Sequence, residues 1–384
     1  MRVADWPATH FVGSVLSLGE QEDEDLPRIL QCLALRSVRQ VVCGGSRSLA
    51  LLTSGELWTW EGPAPPSRLP FEEEVLCCSA GTAHSAAIAR CKGKPALYFW
   101  GLMQREDCGA EEALPTPTSL GGLQQMTPFK LSSGQNHLLV VARDMKLKKH
   151  IFVYARPRSG MMGRQLSAQA IQANVARLIK LPCMDVVEAW ACAKHCFYQY
   201  EKKTKGGVET GLVAWGDNSC GQLGLEHFRM VSKFEDVVFF NDTKVLDISG
   251  GASHTVVLTE RRLVFTFGSN SDGQLGIPGV TRSCTPLPIE LPEGICRLSP
   301  CNSLNYAISL TGQLYSWGSA KYLPSLLPRP ALVSPSLFNN EPVLAVAAGL
   351  NHCIFLTADL DANTPRVCKR SLGLRGPCAK RRKN

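Results

Sequence analysis

The chain has 384 residues, 45% of them hydrophobic, with a formal net charge of +8. That is long for one compact core, and no run of about 18 apolar residues offers a membrane helix. The start, Met1 to Pro7, lacks the apolar stretch of a secretory signal.

Taken in chain order, a first strand is predicted at Val15 to Leu18, closed by Gly19. The acidic run Glu20 to Asp25 follows and reads as a solvated loop. From there one unit recurs about every 50 residues, the mark of a repeat architecture. Its first half is a small-residue turn ending in His or a polar substitute, followed by an apolar run. These turns fall at Gly44 to Ser48, Gly81 to His84, Gly134 to His137, Ala193 to His195, Gly251 to His254, Asn302 to Asn305 and Gly349 to His352. Its second half is an aromatic residue before Gly, at Trp60 (ahead of Gly62), Trp100, Trp215 with Gly216, Phe267 with Gly268, and Trp317 with Gly318. Tyr154-Ala155 stands in that place in the third copy.

The last turn, near His352, has no second half after it, and the N-terminal Val15 to Gly19 can supply one. A ring closed by strands from the two termini leaves no open sheet edge. The expected fold is therefore all-β: a seven-bladed β-propeller over residues 10–360, its last blade completed by the N-terminal strand. Ser167 to Leu181 is the exception, with Leu166, Ala170, Ile171, Val175, Leu178 and Ile179 near helical spacing. It predicts a short amphipathic helix inside the insertion Pro157 to Pro182.

Sixteen scattered cysteines do not resemble a secreted disulfide framework, which favours a reducing, intracellular setting. Cys192, His195 and Cys196 lie close together, but without a matched second pair they do not make a zinc motif. If one strand carries them, residues 192 and 195 also point to opposite faces. No phosphate loop, metal helix or nucleophile elbow is present, so no catalytic residue, metal or cofactor is expected. His84, His137, His195, His254 and His352 recur at one repeat position, as do Trp60, Trp100, Trp215 and Trp317. Residues with one role repeated in every copy read as structural, each histidine serving its own blade and each tryptophan packing between blades.

All of the net charge sits at the end. Arg366 to Asn384 holds eight basic residues and no acid, so the remainder is near neutral. Residues 361–384 read as a disordered basic tail. Lys380-Arg381-Arg382-Lys383, with Lys369-Arg370 upstream, has the form of a nuclear-import signal. The tail is also the one part suited to nucleic-acid phosphates.

The turn ending in His, followed by Trp215-Gly216-Asp217-Asn218-Ser219-Cys220-Gly221-Gln222-Leu223-Gly224, resembles the regulator of chromosome condensation family. The resemblance covers about residues 10 to 360 and is sharpest in the fourth and fifth copies. It implies a seven-bladed propeller, a nuclear or cytoplasmic setting, and a partner docked on a loop face. Guanine-nucleotide exchange on a Ran-like small GTPase is the activity of the family's founding member, which is helped by an inserted β-wedge. The residues here predict no such wedge, because 157–182 reads as helix. The expectation is a non-enzymatic interaction scaffold, with exchange activity or a regulatory-subunit role as the alternatives.

Overall fold

The computed structural model describes residues 15–18, 28–30, 33, 36–62, 64–102, 114–123, 125–155, 177–183, 185–319, 326–350 and 352–358. Their strands form seven four-stranded antiparallel sheets, each one a blade. Blades 1 to 6 follow one another along the chain over 38–68, 75–119, 127–180, 186–236, 245–289 and 295–332. Blade 7 joins Val343–Ala348 and Cys353–Thr357 to Val15–Leu18 and Arg28–Ile29 from the other end of the chain. Val15 pairs with Leu356 and Leu18 with Cys353, so the closure is a backbone ladder.

The first strand of each blade lies innermost. These strands are Val38–Cys43, Val75–Ala80, Thr127–Ser133, Val186–Ala191, Val245–Gly250, Ile295–Cys301 and Val343–Ala348. Each touches the corresponding strand of the blade before it and of the blade after it, and the last touches the first. Each also carries a register shift near its start, as between Val245 and Asp247. One extra residue there adds twist, which suits strands splayed around an axis.

The second strand of a blade is pressed between two neighbouring sheets. His254–Thr259 and Leu304–Ser309 are buried at every position, which explains runs such as Val256-Val257-Leu258 that do not alternate. Gly268, next to last in the third strand of blade 5 (Val264–Ser269), has φ +112°, and a Cβ there would meet the Ser253 carbonyl and lie 2.6 Å from the His254 Cα. Only glycine fits both demands.

The helix expected over 167–181 is not what its C-terminal part forms. Arg177–Lys180 is the outer strand of blade 3, with Leu178 opposite Tyr154 and Ile179 opposite Val153. Pairing with an available sheet edge outweighs the weak helical spacing of two apolar residues. The rest of the expected helix lies outside the described residues, as do the acidic run at 20–25 and the tail at 361–384. Among the described residues there is no α-helix, only the short 3₁₀ turns Val238–Phe240 and Pro335–Phe338.

Candidate functional site: a latched ring with two loop faces

The recurring histidines sit where the second strand of each blade begins, and all five are buried. Four of the five bond into the next blade and not within their own. His254 Nε2 lies 2.7 Å from Asn305 Oδ1 in blade 6, and His195 Nε2 lies 2.7 Å from Thr255 Oγ1 in blade 5. His352 Nε2 reaches Ser48 Oγ in blade 1 at 2.7 Å, and His137 Nε2 faces the Cys196 Sγ in blade 4 at 3.0 Å. The partner is always the residue one place after the histidine position of the next blade. Each pair is thus a latch across a seam between blades.

Two latches continue into the loop that carries the Gly-Gln-Leu-Gly signature. Thr255 Oγ1 donates to the Gln222 carbonyl at 2.7 Å, so its oxygen accepts from His195 and places that ring's proton on Nε2. Asn305 Nδ2 donates to the Gln274 carbonyl at 2.9 Å, which Trp317 Nε1 also reaches at 3.1 Å. The asparagines of the signature shape the loop itself. Asn218 Oδ1 accepts from Leu223 N–H at 3.0 Å, and Asn270 Oδ1 accepts from Leu275 N–H at 2.8 Å. The signature is therefore a device for carrying a backbone carbonyl to the neighbouring blade.

Burial without a full set of partners holds these rings neutral. Desolvation lowers the pKa of His137 and His195 from 6.5 to about 3, and of His84, His254 and His352 to about 4. The tryptophans fill the same seams. Trp100 packs with Leu49, Leu51 and Leu57 of blade 1, and Trp317 with Val256 and Leu258 of blade 5. Trp60 packs with Ile354 and Leu356 of blade 7, and Trp215 lies in the large cluster spanning blades 3 to 5.

Three of the seven seams lack the histidine latch, and two of them flank blade 2. Arg47 occupies the histidine position of blade 1, and the buried Ser85 Oγ across from it has no hydrogen-bond partner among the described residues. His84 of blade 2 would need a partner at position 138, which is Leu138; both its ring nitrogens are buried and unpaired. It stacks instead on Phe99, centroids 5.4 Å apart. At the seam between blades 6 and 7, where Leu304 replaces histidine, Tyr306 Oη reaches Cys353 Sγ at 3.3 Å.

The small-residue turns converge at one end of the ring around a cavity of about 230 Å³, lined by Gly44, Gly81, Gly134, Gly251 and Gly349 among others. The smallness has a steric cause. A Cβ on Gly81 would strike the Gly134 carbonyl, and one on Gly251 the Asn302 carbonyl. Between the first strands of blades 3 and 4, Lys130 Nζ is 2.7 Å from Glu188 Oε1. Asp247 occupies the same register place in the next blade, and burial raises its pKa from 3.8 to about 6 against the opposing pull of Lys130 and Arg297.

Known proteins share this repeat. The regulator of chromosome condensation (RCC1) repeat matches residues 211–258 and again 245–274, stretches that hold the first signature loop whole and the second as far as Gln274. The chain therefore carries RCC1 repeats in its fourth and fifth copies. It is 27% identical to the human probable E3 ubiquitin-protein ligase HERC6 over 88% of this chain. It is 32% identical to the bovine secretion-regulating guanine nucleotide exchange factor over 38% of this chain. The chain spans only 33% of the length of either relative. Among solved structures, yeast RCC1 (Prp20) bound to Kap60 superposes with a TM-score of 0.78 at 17% identity, covering 94% of both chains. A second crystal structure of that protein, described with its binding to Gsp1p and histones, gives 0.77 at 18% identity, covering 94% of this chain and 96% of that one.

In this RCC1-repeat protein the zinc question has a different geometry from the one expected. Cys192 opens the turn after Val186–Ala191, and His195 opens the next strand, so no single strand alternates them. Among the described residues no three His, Cys, Asp or Glu side chains gather to hold a metal ion, and none of the described cysteines is paired. Lys369, Arg370 and Lys380 to Lys383 lie outside the described residues. Of the latch partners, the sequence reading misses Thr255 and Cys196 and makes Ser48 and Asn305 substitutes at the histidine position, which Arg47 and Leu304 occupy, because four different residue types share the partner position. Their common signal is place: each immediately follows the histidine position.

Proposed function

We propose that this chain is a docking propeller: a rigid ring over about residues 10–360 that binds a partner protein through its loop faces and performs no bond-making chemistry of its own. The observation that carries this reading is the use of the recurring polar residues. The histidines, signature asparagines and tryptophans are buried in seams or loop cores, holding blades together. What remains for recognition is the rim of loops on a scaffold that over-determines their positions. The test is affinity purification of the tagged chain from cells with mass spectrometry, followed by reconstitution with the purified partner. A chain that returns no stoichiometric protein partner would sink the reading.

Exchange activity on a small GTPase is the second reading, supported by the bovine exchange factor and by Prp20, described with its binding to Gsp1p. An exchange factor acts by binding the nucleotide-free GTPase more tightly than the loaded one, so it needs shaped loops and no nucleophile. Release of labelled GDP from a panel of small GTPases separates the two. For the basic tail at 361–384 we propose nuclear import through Lys380 to Lys383, aided by Lys369 and Arg370. Changing residues 380–383 to Ala should move a fluorescent fusion from nucleus to cytoplasm. A fusion that stays nuclear but loses salt-sensitive DNA binding would assign the tail to phosphates instead.

A further inference from the structure

The end of the ring opposite the small-residue turns carries the hairpins that join second and third strands. Two neighbouring ones, in blades 3 and 4, differ from the rest in what they expose. The turn between His137–Arg143 and Lys149–Ala155 presents Met145 at 86% and Leu147 at 75% exposure, the two most exposed large apolar residues among those described. This turn is held firmly. Asp144 Oδ1 accepts from the N–H groups of Lys146 and Lys148, both at 2.9 Å, and Oδ2 lies 3.0 Å from His150 Nε2. Two large apolar side chains are thus displayed to water on a fixed turn, with Lys146 exposed between them.

The blade 4 hairpin is the longest in the ring, with ten residues in each arm, His195–Thr204 against Gly207–Gly216. The inner strand flanks it only as far as Tyr200, and the outer strand only from Val213. Beyond the Glu201–Thr210 pair, which Asp185 and Asp242 still bond, residues 202–204 and 207–209 therefore continue alone as a two-stranded ribbon. At about 3.4 Å per residue it projects roughly 13 Å past its inner neighbour. Lys202, Lys203, Lys205 and Val208 are exposed on it. Asp185 ties the two hairpins together: its carbonyl accepts from Glu201 N–H at 3.0 Å, and its carboxylate lies 3.9 Å from Lys148 Nζ.

We propose that the step between these hairpins is a docking surface for an acidic protein segment with interspersed apolar side chains. This deepens the docking-propeller reading and rests on it. The lysines supply the charge complement. Of the acidic groups nearby, Asp144 is engaged within its own turn and Asp185 with Lys148, while Glu209 stands opposite Lys202. Lys146, Lys203 and Lys205 face no ion-pair partner among the described residues. Phosphates alone would gain nothing from Met145, Leu147 and Val208, which disfavours nucleic acid. An apolar anchor displayed on a fixed turn and ringed by charge is the form that protein hot spots take.

The test uses the full chain and a fluorescein-labelled 12-residue peptide alternating Glu or Asp with Leu or Phe. The comparison probes are a peptide of equal charge with Ser in place of the apolar residues, a 20-base-pair duplex, and vesicles of phosphatidylcholine and phosphatidylserine. Expected is saturable binding of the first peptide, weakened at least tenfold by Lys202→Glu, Lys203→Glu and Lys205→Glu together, and at least tenfold by Met145→Ser with Leu147→Ser. These side chains are on the surface, so both variants should melt with the parent; a variant that does not is replaced by Lys203→Ala or Met145→Gln. Equal binding of the Ser peptide, tighter binding of duplex or vesicles, or binding indifferent to both variants overturns the proposal. If a purified cellular partner still binds both variants while the peptide does not bind the parent, the docking function stands and this surface is wrong.

Discussion

Ser48 and Ser85 occupy the same place in successive blades, each one residue after the histidine position and each completely buried. Their surroundings differ in one respect. Ser48 Oγ is 2.7 Å from His352 Nε2 across the seam to blade 7. Ser85 Oγ has no partner, because the preceding blade offers Arg47 there. Ser48→Ala would strand a buried imidazole nitrogen, a loss of about 1–3 kcal/mol. Ser85→Ala removes a buried hydroxyl that makes no bond, so it should be neutral or stabilising by up to about 1 kcal/mol. The same chemical change at equivalent positions should therefore act with opposite sign. Urea midpoints for the two variants, measured with the parent at pH 7.5, read this directly. Equal destabilisation of both, or a loss confined to Ser85→Ala, would refute the latch assignment.

The five buried histidines should also make the fold acid-labile. A folded pKa held at about 3 to 4 against 6.5 unfolded means that the stabilisation is present above pH 6.5 and lost as pH falls. Between pH 7 and 5.5 five such groups cost about 6 kcal/mol, and the raised pKa of Asp247 returns under about 1 kcal/mol by the opposite sign. Urea unfolding across that range should show the drop, and a flat profile would count against neutral buried rings. Gly268→Val, forced into φ +112° against the Ser253 carbonyl, should cost on the order of 1–3 kcal/mol in chemical denaturation, whereas Glu290→Ala should stay within about 0.5 kcal/mol. Deleting residues 1–19 removes the strand that pairs with Cys353–Thr357. Lowered melting temperature or aggregation is expected, and a truncation that melts like the full chain would refute closure by the N-terminus.

How much of this could be read beforehand follows from where the information sits. Periodicity and ring closure were legible, because each blade repeats the same small turn and the unpaired last copy pointed to Val15 to Leu18. The function of the histidines was not. Spacing along one chain shows that His254 recurs, but its partner Asn305 stands 51 residues away, and only the arrangement of neighbouring blades joins them. Assigning His137, His195, His254 and His352 to their own blades was therefore the natural error, while His84 does pack within its own. Arg177 to Lys180 misled for a related reason: Leu178 and Ile179 suit a helix face locally, while the free edge of Lys149–Ala155 that captures them is a property of the assembled sheet. The docking step between blades 3 and 4 was invisible for the same cause. Met145 and Lys203 are ordinary loop residues in sequence, and their adjacency depends on Asp185 bonding both hairpins at once. In a repeat ring, local sequence specifies the blade, while the chemistry that distinguishes one ring from another arises at the seams and between loops of different blades.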